Sequence, residues 1–130
     1  MLFTETTGLG TIRYDQHIIG NIIRHVVAET DGAALLSDPK GRIRRNPGKP
    51  DNDDVSFMEL KRTKEALDIR CCVVVKFGAG IQRTASVISG AVRREVSRIT
   101  GETVGTVTIV VTGVLAKNLS KRHIEVTAHA

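Results

Sequence analysis

The stretch IRCCVVVKFGAGIQRTASVISGAVRREVSRITGETVGTVTIVVTG, residues 69–113, decides the fold. An apolar run from Ile69 to Phe77 meets Gly78-Ala79-Gly80. A helical pattern then extends from Ile81 to Thr100 and stops at Gly101, and a β-branched run follows from Val104 to Thr112 before Gly113. This reads as a strand, helix, strand unit with glycine at both joints. On a helical wheel Ile81, Ala85, Ile88, Val92, Val96 and Ile99 share one narrow sector, which must face a core. The opposite stripe holds Arg83, Ser86, Gly90, Arg94 and Ser97. Glycine in a helix interior costs about 1 kcal/mol relative to alanine. Gly90 therefore admits two readings, a tolerated glycine on a solvated face or a point of close backbone approach by another element or a partner.

Alternation places Ile69, Cys71, Val73, Val75 and Phe77 on one face of the first strand and Arg70, Cys72, Val74 and Lys76 on the other. In the last strand Val107, Ile109 and Val111 oppose Thr106, Thr108, Val110 and Thr112. One face is expected to be core and the other half wet. A right-handed crossover through the helix makes the two strands parallel.

Upstream, Gly10 to Tyr14 is short enough for a single strand after a polar leader. Asp15 suits the cap of a helix in which Ile18, Ile19, Ile22, Ile23, Val26 and Val27 recur at helical spacing until Asp31-Gly32. Ala33 to Leu36, the turn Ser37-Asp38-Pro39-Lys40-Gly41 and a return arm from Arg42 to Arg45 predict a hairpin. The segment 46–54 reads as a loop, Val55 to Leu60 as a strand, and Lys61 to Leu67 as a turn or excursion. The tail carries Lys117, Lys121 and Arg122 before Ile124, Val126 and Ala128, and either adds an edge strand or wanders. The expected fold is α+β: one domain, a mixed sheet of about four to five strands with two amphipathic helices on one face, in the order β-α-β-β-β-β-α-β. The domain is expected over 1–116, including a charged loop at 40–64, with 117–130 as a basic tail or edge strand.

A chain of 130 residues has room for one core. Its only aromatic side chains are Phe3, Tyr14, Phe57 and Phe77, so isoleucine, valine, leucine and alanine must build the interior. The net charge of +5 favours an anionic partner, whether phosphate, acidic protein or anionic lipid. No apolar run is long enough to span a bilayer, and Met1 to Gly10 lacks the basic and apolar regions of an export signal, so a cytoplasmic location is expected. Adjacent Cys71 and Cys72 point to opposite faces of a strand and read as buried small hydrophobes.

Groups for catalysis do not converge. His17, His25, His123 and His129 show no metal-ligand spacing. Gly78-Ala79-Gly80 lacks the third glycine of a dinucleotide fingerprint and the lysine of a phosphate-binding loop. Asp51, Asp53 and Asp54 lack the spacing and terminal glutamate of a calcium loop. No cofactor, no metal and no enzymatic activity are expected. The chemistry that does stand out is cationic: Lys40, Arg42, Arg44, Arg45 and Lys49 place five positive charges within ten residues, although the aspartates that follow at once can neutralise them.

Two further marks bear on family. Gly10-Thr11-Ile12-Arg13-Tyr14-Asp15 precedes the isoleucine-rich helix through Glu29, and Val73-Val74-Val75-Lys76-Phe77-Gly78 precedes Ile81, the second helix, Thr100-Gly101 and the valine-rich strand closing at Thr112-Gly113-Val114. In order and spacing this resembles the alkaline shock protein family, the YloU-like envelope stress proteins of bacteria, over most of the span from Gly8 to Leu115. The chain departs from the pattern at Asp31-Gly32-Ala33-Ala34 and in its longer, more charged middle. The resemblance implies a small non-catalytic α+β protein tied to cell-envelope homeostasis, which self-associates or docks onto a membrane-anchored protein. On that reading it is cytoplasmic or peripheral to the membrane, and Lys40, Arg42, Arg44, Arg45, Lys49, Arg83, Gly90 and Arg94 are the candidate partner-binding residues. The alternative is an RNA-binding or ribosome-associated module, since K-homology-like domains also run a helix between sheet strands after a glycine turn.

Overall fold

The computed structural model describes residues 2–7, 10–43, 55–115 and 124–129, and the side chains of 15–43 and 55–115. Strands β1 (Leu2–Thr7) and β2 (Gly10–Asp15) pair with each other as an antiparallel hairpin. Helix α1 (Gln16–Ala28) follows without a linker, and then β3 (Ala34–Leu36), β4 (Met58–Arg62), β5 (Leu67–Lys76), helix α2 (Ile81–Thr100), β6 (Val104–Leu115) and β7 (Ile124–His129). Strands β3 to β7 form one five-stranded mixed sheet ordered β3-β5-β6-β7, with β4 also paired to β5. The β5–β6 ladder is parallel, as the crossover through α2 requires, and the other ladders are antiparallel.

Local chemistry explains where the helices start and stop. The Asp15 carboxylate accepts the His17 N–H at 3.0 Å, which caps α1 as its sequence predicts. At the other end Thr30 Oγ1 donates to Val27 O at 2.7 Å and accepts the Ala34 N–H at 3.2 Å, bridging the helix exit to β3. Helix α2 ends at Gly101, whose φ of 75° permits the left-handed cap that donates its N–H to Ser97 O at 3.0 Å.

Both helices pack on one face of the sheet. Ile19, Ile23, Val26 and Val27 of α1 and Ala85, Ile88, Val92 and Val96 of α2 share a core with Ile69, Cys71, Val73, Val75, Val107, Ile109 and Val111. The hairpin of β1 and β2 lies outside the five-stranded sheet.

Several expectations need correction. The N-terminal leader carries an additional strand, β1, three strands and not four lie between the helices, and the tail supplies β7, so the element order is β-β-α-β-β-β-α-β-β. The return arm from Arg42 is no strand over its described residues; it is reduced to a single bridge between Ser37 and Ile43. Residues 55–57 do not begin β4. They form a turn closed by Met58 N–H to Val55 O at 3.0 Å, which sinks Phe57 to 1% exposure and sets Val55 over α1. Lys61, Arg62 and Leu67, read as a turn, extend β4 and β5, and Thr63 N–H closes the reversal on Ala66 O at 2.9 Å. Phe77 was assigned to the core face by alternation but is 73% exposed, because β5 stops at Lys76. The second sheet face is not half wet at its centre: Cys72, Val74, Val110 and Thr112 are all buried.

The long ladder between β5 and β6 is interrupted twice. Leu67 pairs with Val104 but Ile69 with Val107, and Val73 pairs with Val111 but Val74 with Gly113, so β6 carries one extra residue at each step. A polar side chain organises each irregularity. At the first, Asp68 Oδ1 accepts the Thr106 N–H at 2.8 Å, and Arg93 Nη1 donates to Val104 O and Gly105 O at 3.0 and 2.8 Å. At the second, Thr112 Oγ1 donates to Val73 O at 3.2 Å and lies 2.6 Å from Ser37 Oγ.

The first bulge has no room for a methyl group. A Cβ on Gly105 would lie 2.6 Å from Asp68 Oδ1 and 3.0 Å from Ala66 Cβ, whereas one on Gly90 would meet nothing within 4 Å. Gly105→Ala is therefore expected to destabilise the fold by about 1–3 kcal/mol, and Gly90→Ala to stabilise it by about 0.5–1 kcal/mol. Urea unfolding of the two variants beside the wild type measures both signs.

Candidate functional site

Helix α2 brings three of the sequence candidates together. Arg83, Gly90 and Arg94 lie on one exposed stripe, with Ser86 and the 59% exposed Val87 beside them. Arg83 has no hydrogen bond or ion pair among the described residues. Arg94 is held loosely, its Nε 3.8 Å from Glu95 Oε1. Glu95 belongs instead to Arg98, which reaches Oε2 with Nη2 at 2.7 Å and Nε at 3.1 Å. That hydrogen bonding, helped by the nearby Arg94 and His25 charges, holds the Glu95 carboxyl below the usual glutamate value against the opposing effect of burial. The open space around Gly90 means that no described element of this chain approaches the helix backbone there.

The other cluster behaves differently. Lys40 and Arg42 sit in the turn after β3, while Arg44, Arg45 and Lys49 lie outside the described residues. The centre of that turn is Asp38, whose side chain is 4% exposed. Its Oδ1 accepts the backbone N–H of Lys40 at 3.0 Å and of Arg42 at 2.9 Å, and its Oδ2 accepts Arg42 Nε at 2.8 Å. Burial alone would raise the Asp38 pKa; the donors from Arg42 and Lys40 outweigh it and hold the carboxyl below its ordinary value. Arg42 thus spends one edge of its guanidinium on its own turn, and only the remainder faces solvent.

A groove of about 380 Å³ opens along the seam between the helices. Ile18 and Ile22 of α1 and Ile99 of α2 form its apolar wall, with His25 and Arg98 on its rim. Ile18 and Ile99 carry core-type side chains yet are 42% and 52% exposed. Ile99 lies in the core sector of the wheel, but in the last turn of α2 that sector is only partly covered. Sequence periodicity could not distinguish it from Val92 or Val96, because the angle is the same and only the end of the neighbouring helix differs.

A second, smaller concavity of about 170 Å³ lies where the β4–β5 turn meets the end of α2. Arg62 Nη1 and Glu102 Oε1 are 2.6 Å apart beside it and offset each other's charge. Among the described residues no group of three or more histidine, cysteine or carboxylate side chains is placed to hold a metal ion. No helix among them is long and apolar enough to cross a membrane.

This arrangement, two helices on one face of a mixed sheet with the valine-rich β5 and β6 at its centre, agrees with a family comparison. The model of the alkaline shock protein 23 family, described as having a cell envelope-related function, matches residues 4–116. The chain belongs to the alkaline shock protein 23 family. No curated protein and no solved structure matches it.

In this family member the two cysteines lie on opposite faces of β5, both buried and unbonded to each other. Burial, together with the adjacent Cys72, pushes the Cys71 thiol up to about 12, so it is not a nucleophile at neutral pH. Two residues with defined work were not singled out in the sequence. Arg93 is flanked by Ala91, Val92 and Arg94 and gives no sign that it, and not Arg94, turns inward to the β6 carbonyls. Asp38 was read only as a turn residue. A Ser-Asp-Pro turn followed by Arg42 was the one available signal, since an aspartate there accepts backbone N–H groups two and four residues on.

The depressed Asp38 pKa has a definite pH consequence. Because the folded value lies below the unfolded one, near 3.9, the stabilisation is present above the unfolded value and is lost as pH falls through the folded one. Asp38→Asn is expected to cost about 1–3 kcal/mol at neutral pH by weakening charge-assisted bonds to a buried oxygen. The difference from wild type should shrink on acidification below about pH 4. Unfolding free energies measured from pH 6 down to pH 3 test the cost and its direction.

Proposed function

We propose that this alkaline shock protein 23 family member works by association and not by catalysis, as a scaffold in cell-envelope homeostasis that self-associates and docks onto a membrane-anchored protein. The observation that carries this reading is the outward face of α2. It combines Arg83, unpaired among the described residues, the loosely held Arg94, the exposed Val87 and the open backbone at Gly90.

Such a face suits an acidic protein surface. Arginine forks recognise carboxylates with two parallel bonds, and a glycine between them lets a partner backbone approach. A helix interior glycine that no other described residue approaches costs stability without return unless something outside uses the space. Lys40 and the free edge of Arg42 extend the cationic character elsewhere on the molecule, and the basic residues Arg44, Arg45 and Lys49 adjoin them in sequence. The family's cell envelope-related function supports placing the partner at the membrane.

Sedimentation velocity across a range of protein concentrations is expected to show reversible self-association. Crosslinking in cells is expected to join the wild type to a membrane-fraction protein and to lose it in the Arg83→Glu, Arg94→Glu double variant. A chain that stays monomeric at high concentration and crosslinks to no envelope protein would overturn the proposal. Gly90→Ala supplies an internal control, since it should weaken docking while leaving the fold at least as stable.

A further inference from the structure

Strand β4 leaves one side of the sheet open. Among the described elements it pairs only with β5. Phe57 O accepts the Cys72 N–H at 2.7 Å and Thr63 N–H donates to Ala66 O at 2.9 Å, so Glu59 and Lys61 between them also turn their backbone groups toward β5. Met58, Leu60 and Arg62 turn theirs away. The Met58 N–H closes on Val55 O, but the N–H and C=O of Leu60 have no hydrogen-bond partner among the described residues. Unused ladder groups along an edge are a template for another strand.

Edge strands are commonly guarded by charge, and a lysine alone would guard this one. Here the strand reads Met58-Glu59-Leu60-Lys61-Arg62, with opposite charges placed symmetrically about Leu60. Glu59 and Lys61 are exposed and make no hydrogen bond or ion pair among the described residues. The ladder sets Lys61 opposite Asp68, but Asp68 Oδ1 is committed to the Thr106 N–H at 2.8 Å. Two such strands running antiparallel about a two-fold axis through Leu60 set Glu59 of each copy against Lys61 of the other. Because these residues direct their backbone groups inward, they meet as the non-hydrogen-bonded pairs, in which side chains approach most closely. An axis through Glu59 or through Lys61 would oppose like charges, so charge selects the register centred on Leu60.

We propose that β4 of one copy pairs antiparallel with β4 of a second copy, joining their five-stranded sheets edge to edge. Leu60 exchanges both backbone hydrogen bonds with Leu60 of the second copy, and Glu59 meets Lys61 on either side of the axis. Directly opposed residues of an antiparallel pair share one face, so the helices of both copies stay on the same side of the joined sheet. On that side Met58 and Leu60 are half-buried and pack against the hydrophobic core, and the second copy covers part of what Leu60 still exposes. The inference rests on the self-association proposed above and specifies its surface. It uses no residue of the α2 stripe, which stays open to an envelope protein.

Glu59→Lys makes β4 cationic at both positions, and Lys61→Glu makes it anionic at both. Each variant alone is expected to raise the dissociation constant for self-association by at least about tenfold, since each opposes like charges twice. An equimolar mixture of the two is expected to pair about as tightly as the wild type, because every opposed pair then carries opposite signs. Both side chains are exposed, so the substitutions leave the core intact, and far-UV circular dichroism with a thermal melt checks that each variant remains folded. Sedimentation velocity reads the wild type, the two variants and their mixture. A wild type that is monomeric at every concentration overturns self-association and this surface together. A wild type that associates while the folded variants associate equally well, or variants that weaken and do not recover on mixing, overturns the β4 pairing alone.

Discussion

The parallel pairing of β5 with β6 is the constraint on which the rest of the structure depends. Parallel neighbours cannot be joined by a tight turn, so a crossover of helical length is obligatory, and its right-handed path puts α2 on one face of the sheet. Once α2 is there, the residues of both strands that face it must be apolar. Ile69, Cys71, Val73 and Val75 answer Val107, Ile109 and Val111 across the ladder. The remaining elements fit around this pair. Strands β3 and β4 share the outer edge of β5, and Cys72 bridges the gap between them by accepting the Ser37 N–H at its carbonyl and donating its own N–H to Phe57 O.

A ladder this long does not stay in register unaided, and the two extra residues of β6 show how twist is absorbed. Each bulge frees backbone groups that a buried sheet cannot leave unsatisfied. Asp68 and Arg93 supply an acceptor and donors at one end, Thr112 and Ser37 hydroxyls at the other. The same economy governs the turn at Asp38, where a nearly buried carboxylate is tolerated because three donors converge on it. The fold speaks for its own interior polar groups: no described buried side-chain nitrogen or oxygen lacks a hydrogen-bond partner.

The sequence made the central unit legible because three independent signals coincide there. β-Branched runs, glycine punctuation and a clean helical period all point to the same strand, helix, strand arrangement. Legibility failed where a periodicity is cut short by its neighbours. Phe77 continues the alternation of β5 by one residue, but the turn through Gly78, with φ of 94°, takes it out of the sheet. Ile99 continues the core sector of α2 past adequate cover. Cys72, Val74 and Val110 looked half wet because Arg70, Lys76 and the threonines share their face, yet hydrophobicity at the strand centres gave the truer indication. Of the candidate site, the α2 stripe was legible from its wheel. The division of labour between Arg93 and Arg94 was not, since adjacent arginines differ in role only through the bulge they do or do not reach.

That difference bears on how charge should be read on this molecule. A count of cations treats Arg42, Arg83, Arg93 and Arg94 as equivalent, but the structure ranks them. Arg93 is consumed by the β6 carbonyls and Arg42 partly by Asp38, so removing either would disturb the fold before it disturbed any partner. Arg94 is weakly engaged and Arg83 is free of described partners. A charge already paired at close range contributes little to the field felt by an approaching surface, whereas an unpaired one acts over about a Debye length, ~8 Å at physiological salt. On the proposed reading, attraction for an acidic neighbour depends less on net charge than on which of these four arginines the bulge and the turn leave unused, and those are Arg83 and Arg94 on the outward face of α2.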